Sequence, residues 1–190
     1  MSGSNTARLA WRLVALAFAA VLLQVTVISE IRIFGAAADL VPLVCAAVGL
    51  LLGSLTGAGF GFGLGLVVDI ILYQPLGISS LVYLGAGFAA GRLRELRDPQ
   101  APAIPIWVGA ATTIGVMAAF VVIRFLLGNG MPLSFELVRQ FLSTAVLNAL
   151  IAIPVFSLVR RLLAAVLPDD GRRRRRRSYT TGGLSPLSRS

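Results

Sequence analysis

Residues 40–73 are almost continuously apolar. As one helix this run would be about 50 Å long at about 1.5 Å per residue, against a bilayer hydrocarbon core of about 30 Å. It has to break once. The only polar side chains before Asp69 are Ser54 and Thr56, flanked by Gly53 and Gly57. A tight turn is expected there, dividing the run into spans over 40–52 and 57–73. Both are short for a full crossing. An irregular, partly re-entrant turn is the alternative, tolerated where protein buries it.

The second of these spans is crowded with glycine. Gly57, Gly61, Gly65 and Asp69 recur every fourth residue, which on a helix puts them on one narrow face. Gly59 and Gly63 form an adjacent small row. Each interior glycine costs a water-exposed helix about 1 kcal/mol relative to alanine. So many of them imply that close backbone approach outweighs propensity. Within a bilayer, small-xxx-small rows give helices that approach, because lipid tails supply no hydrophobic drive. The next span carries a second row, Gly87 and Gly91, beside Gly85, Ala86, Ala89 and Ala90. Gly57, Gly61, Gly65, Asp69, Gly87 and Gly91 are therefore the expected packing positions for a partner helix. Asp69 also brings an ionisable group close to a membrane boundary, where such groups are rare and functional by default.

Composition agrees with a membrane chain. Charged residues are 13% and hydrophobic residues 57%, against about 25% charged in soluble domains, and the mean hydropathy is +0.87. Spans are expected over 13–28, 40–52, 57–73, 78–93, 106–127 and 141–159, giving an all-α integral membrane domain over 1–167. Arg8 and Arg12 before the first apolar run suit an uncleaved span better than a signal peptide, since no clean small-residue cleavage site follows. Gln74-Pro75-Leu76-Gly77 and Gly128-Asn129-Gly130-Met131-Pro132 read as turns. The stretch from Arg92 to Pro105 reads as a charged, proline-interrupted loop. Ser134 is expected to open a short amphipathic entry to the last span, and Pro154 to kink that span.

The net charge of +9 is unevenly placed. With six alternating spans and the N-terminus inside, Arg8, Arg12, Arg92, Arg94, Arg97, Arg160, Arg161 and the tail arginines face the cytoplasm. Arg32, Arg124 and Arg139 fall outside, as do Glu30, Asp39, Asp69 and Glu136. This obeys the positive-inside rule. The tail, 168–190, is polar and basic and is expected to be disordered. Arg172, Arg173, Arg174, Arg175, Arg176 and Arg177 act there as a topology anchor or as a clamp on anionic lipid, worth about 1 kcal/mol per basic residue near the surface. No aromatic or fold-level pattern accompanies them, so nucleic acid is not an expected partner.

No catalytic constellation is present. The chain has no histidine, which removes the commonest general base and metal ligand. Cys45 is the single cysteine and reads as a small buried residue. Neither a cofactor nor a metal is expected, and the chain does not read as an enzyme. Gly77-Ile78-Ser79-Ser80 lacks a base, and the glycine spacing inside 59–65 lies within a span. Polar groups inside the membrane are few: Gln24, Thr112, Thr113, Ser143, Thr144 and Asn148, with Asp69 and Arg124 nearer the ends. Gln24 suits an interfacial position or a helix–helix hydrogen bond. Asp69 and Arg124 pair with one another, snorkel separately, or, for Asp69, meet a partner.

The order and spacing of Leu22-Leu23-Gln24, Asp39-Leu40, Gly53, Gly57, Gly61-Phe62-Gly63, Gly65-Leu66 and Asp69, then Leu76-Gly77, Leu81, Gly87 and Gly91, resemble the bacterial rod-shape-determining membrane protein family MreD. Asn148 is a weaker match. Family members carry Pro-Asp-Leu where this chain has Ala38-Asp39-Leu40, with its proline later at Pro42. The resemblance implies a multi-pass protein of the bacterial cytoplasmic (inner) membrane, with both termini cytoplasmic. It implies a fold similar to the S-components of vitamin-uptake transporters. The expected role is a non-enzymatic scaffold of cell elongation, maintaining rod shape by organising lateral peptidoglycan synthesis. The implied partners are an MreC-like single-span protein, a RodA-type glycan polymerase with its penicillin-binding partner, and indirectly the MreB filament. The alternative on the same architecture is a small-molecule-binding subunit of a transporter.

Overall fold

The computed structural model describes residues 3–28, 32–33, 36–37, 39–96, 104–128 and 135–164. Glu30, Arg97, Ser134 and the basic tail with Arg172 to Arg177 lie outside the described residues. The fold is helical: α1 (Gly3–Leu23), continued by a π-helical turn (Gln24–Ile28), then α2 (Leu40–Leu52), α3 (Ser54–Ile71), α4 (Ile78–Leu96), α5 (Ile104–Leu126) and α6 (Phe135–Leu163). Between α1 and α2, β1 (Arg32–Ile33) and β2 (Ala36–Ala37) pair antiparallel, Arg32 opposite Ala37. Four segments are long and apolar enough to cross a bilayer: Ala7–Thr26, Ser54–Ile71, Ile104–Leu126 and Val138–Leu163. The chain is a multi-pass, all-α membrane protein.

α2 is the hub. Every residue from Val41 to Leu51 is buried, and α2 touches each of α1, α3, α4, α5 and α6. Its sequence, LVPLVCAAVGLLL, has no polar face to offer, and a helix apolar all round is one enclosed by others. Cys45 is fully buried within it, as the sequence implies. The core around α2 takes Leu16, Ala20 and Val21 from α1, Leu64 and Val68 from α3, Tyr83 from α4, Val116 from α5, and Val159 and Leu163 from α6.

The expected break occurs, but in one residue. Gly53 alone separates α2 from α3, with φ 100° and ψ 173°. Glycine lacks the Cβ that forbids this geometry, so no loop through Thr56 is needed and Ser54 already belongs to α3. Ordinary helical bonds flank the kink, from Gly53 N–H to Gly49 O at 2.8 Å and from Gly57 N–H to Gly53 O at 2.9 Å. α6 runs unbroken through Pro154, and its entry from Phe135 is one helix with the span. From the middle of α1, Arg12 Nη1 donates to Leu162 O at the end of α6 at 2.9 Å, tying the first helix to the last.

Candidate functional site

The first feature is the glycine seam. Buried positions on α3 are Gly57, Phe60, Gly61, Leu64, Gly65, Val68 and Asp69, the face the spacing predicts. What it meets is α4 of the same chain. A Cβ on Gly61 would collide with the Tyr83 carbonyl, one on Gly65 with the Ser79–Ser80 backbone, and one on Gly87 with the Gly57 carbonyl. A Cβ on Gly57 would lie 2.5 Å from Gly87 O and 2.6 Å from Gly49 Cα. Gly91 meets the backbone of Gly53 and Ser54, and Gly49 of α2 meets Gly87. The row expected to receive a partner helix is therefore filled from within: α2, α3 and α4 join backbone to backbone. The neighbouring row behaves differently. Nothing lies within 4 Å of a Cβ built on Gly59 or Gly63.

Asp69 ends this seam. Its carboxylate is fully buried and accepts from Gly77 N–H at 2.8 Å (Oδ2) and Ser79 N–H at 3.2 Å (Oδ1). These are donors at the start of α4, which a helix cannot pair internally, and a carboxylate there also suits the helix dipole. Asp69 thus caps α4 from α3, across the turn. Among the described residues no ion pair joins it to Arg124, which stands exposed in the last turn of α5. A cation in that last turn is favoured by the same dipole. Replacing Asp69 with alanine leaves one buried donor, Ser79 N–H, and one half-buried donor, Gly77 N–H, without their acceptor. It is expected to cost about 2 kcal/mol, read as a lower unfolding midpoint of the purified protein in detergent.

The second feature is a polar layer around Asn148, which is fully buried in α6. Its Oδ1 accepts from Asp39 N–H at 2.9 Å. Its Nδ2 donates to Asp39 O at 3.1 Å and to Thr113 Oγ1 at 2.8 Å. Thr113 in turn donates to Gly109 O at 2.8 Å. Gln24 Oε1 accepts from Leu40 N–H at 2.7 Å. The start of α2 therefore has acceptors for the N–H groups of Asp39 and Leu40, and Pro42 brings no N–H to satisfy. Side chains from α5, α6 and the π-turn after α1 converge on one helix end.

The depth of that end follows from helix geometry. Asn148 lies twelve positions before Arg160, and Gln24 twelve after Arg12, each about 18 Å at about 1.5 Å per residue. The Arg12–Leu162 bond puts those two starting levels together. Asp39 is therefore level with the middle of α6, deeper than the outer-side position expected from its place in a loop. α2, with 13 residues, is about 20 Å long and stops short of a full crossing. Asp39 and Leu40 are half-buried, and at that depth in a bilayer the first N–H groups of α2 need protein acceptors, which Gln24 and Asn148 provide. Of the other polar candidates, Thr144 is buried, while Thr112 and Ser143 are half-buried. The pairing of Gln24 with Leu40 has no local signal in the sequence.

A third feature is an open groove of roughly 380 Å³ between α4 and α5. Its walls combine small residues, among them Gly85 and Ala89 on α4 and Ala111, Gly115 and Ala119 on α5, with larger apolar side chains such as Leu81 and Ile123. Tyr83 and Phe120 join the two helices edge to face, ring centroids 6.1 Å apart. No atom lies within 4 Å of a Cβ built on Gly85 or Gly115.

Among proteins already known, no curated protein matches this chain, and no solved structure does. A family model, described as rod shape-determining protein MreD, matches residues 6–166. That match spans all six helices from within α1 to the end of α6, so the chain belongs to the MreD family of rod shape-determining proteins.

Proposed function

We propose that this protein is a non-enzymatic scaffold of bacterial cell elongation, seated in the cytoplasmic membrane with both termini cytoplasmic. Its family is described as rod shape-determining, and four helices of this chain are long and apolar enough to cross a bilayer. The scaffold holds a single-span, MreC-like partner and, through it, the RodA-type polymerase with its penicillin-binding partner and the MreB filament. The basic tail adds a hold on anionic headgroups. The S-component likeness remains an expectation about overall shape.

One observation supports this reading most: the groove between α4 and α5. Between α3 and α4 the small rows on the facing helices are closed by backbone, as at Gly61 and Gly65. Here two small rows, Gly85–Ala89 and Ala111–Gly115–Ala119, face open space. Ala111, Gly115 and Ala119 have the four-residue spacing that lets a third helix approach closely. The polar layer, by contrast, uses Asn148 on Asp39 and Thr113 within the chain, which leaves it little to offer a solute.

Filling the groove with Gly85→Leu and Gly115→Leu together is expected to reduce co-purification of the single-span partner at least tenfold. Among the described residues a Cβ at either position meets no atom within 4 Å and the open groove of roughly 380 Å³ has room for the rest of both side chains, so the protein should insert and unfold at its usual midpoint. Retention of the partner by the doubly substituted protein would show that the groove is not its docking face.

A further inference from the structure

The turn between α3 and α4 contains the one non-glycine residue with positive φ among the described residues, Tyr73 at φ 51°. α3 ends there in a Schellman pattern. Gln74 N–H donates to Asp69 O at 2.9 Å and Tyr73 N–H to Ile70 O at 3.4 Å. The residue at that left-handed position is ordinarily glycine, because a Cβ crowds the following carbonyl. Gly77, at the other end of the same turn, is indeed glycine with φ 100°.

Among the described residues nothing packs on the large ring at this position. Tyr73 is 97% exposed. Its neighbours Ile70, Leu72 and Leu76 are exposed and apolar, so the ring stands at the end of a lipid-facing surface. Asp69, the nearest charge on α3, is buried and engaged by α4. The turn lies at the opposite end of the α3–α4 hairpin from Gly53 and Gly91, where the Gly53–Ser54 backbone packs against α4. A phenol has an apolar body and a polar tip, and such rings settle at the headgroup level of a bilayer. A non-glycine residue held in a sparsely populated backbone region points to a use for its side chain.

We propose that Tyr73 is a lipid-interface anchor. Its ring seats in the headgroup layer of the leaflet opposite Arg12, Arg94 and Arg160 and sets the depth of the α3–α4 hairpin. Without it, exposed Leu72 and Leu76 draw the turn into the hydrocarbon. This inference is independent of the scaffold reading, since it concerns lipid and no partner protein.

The test places a nitroxide on the full chain through Gln74→Cys; Cys45 is fully buried and stays unlabelled. Immersion depth is read from oxygen and nickel-complex collision rates in phosphatidylcholine–phosphatidylglycerol vesicles. Tyr73→Gly is expected to move the label inward by two residues' rise, about 3 Å. Tyr73→Trp should keep it in place. In detergent, Tyr73→Gly should unfold at the same midpoint or higher, because glycine relaxes the turn. An unchanged depth or an outward shift in the glycine variant overturns the anchor. So does a lower midpoint in detergent, which would mean the ring packs within the fold.

Discussion

Replacing Gly61 with alanine is expected to cost this protein about 3 kcal/mol or more, while the same change at Gly59 leaves it as stable or raises stability by up to about 1 kcal/mol. The two residues are one turn-fraction apart on α3 and equally small. A methyl on Gly61 meets the Tyr83 carbonyl, which belongs to a helix backbone and cannot rotate aside. The α3–α4 seam must then open along its length, because Gly57, Gly65 and Gly87 are set at the same close spacing. A methyl on Gly59 meets nothing within 4 Å and only reduces the freedom of the unfolded chain. Unfolding midpoints of the two variants in mixed detergent–SDS titrations should move in opposite directions. Ser80→Ala is the control: it sits in the seam but removes only a buried hydroxyl that has no hydrogen-bond partner among the described residues, so its effect should be small. Equal effects at Gly59 and Gly61 would count against the seam.

Asn148→Leu is the second large effect, expected at about 2–4 kcal/mol. It removes the acceptor of Asp39 N–H and the donor to Asp39 O, half-buried groups at membrane depth that cost about 1–3 kcal/mol each when left unpaired. Membrane hydrogen bonds measured singly are weaker than this. Here, however, one side chain serves both backbone groups of a single residue at a helix start. Gln24→Leu should cost less, since one acceptor is lost. The two changes should not add, because both release the same end of α2. Amide hydrogen exchange at Asp39 and Leu40 reads the release directly. Unaltered exchange in Asn148→Leu would remove Asn148 from the role of cap.

Much of the architecture was legible in the chain. The break near Gly53, the helical spans and the glycine face follow from length, hydropathy and spacing, all local properties. Asp69 was legible as an unusual residue but not as a cap. Its acceptor role depends on where the turn at 72–77 brings Gly77 and Ser79. Arg124 was a reasonable partner for it by depth alone, yet two backbone N–H groups already occupy the carboxylate.

By itself, the sequence determined that this is a membrane protein, where its helices run, and which residues share a face. A helix face is fixed by about 3.6 residues per turn, and no neighbour is needed to define it. Only the tertiary structure decided what lies across each face. Gly57, Gly61 and Gly65 look like Gly59 and Gly63 in sequence, yet the first row is closed by α4 and the second opens outward. Asn148 reaches Asp39 across 109 positions. Such pairings come from the way six helices pack at once, with α2 enclosed by the rest, and a local periodicity carries no record of that.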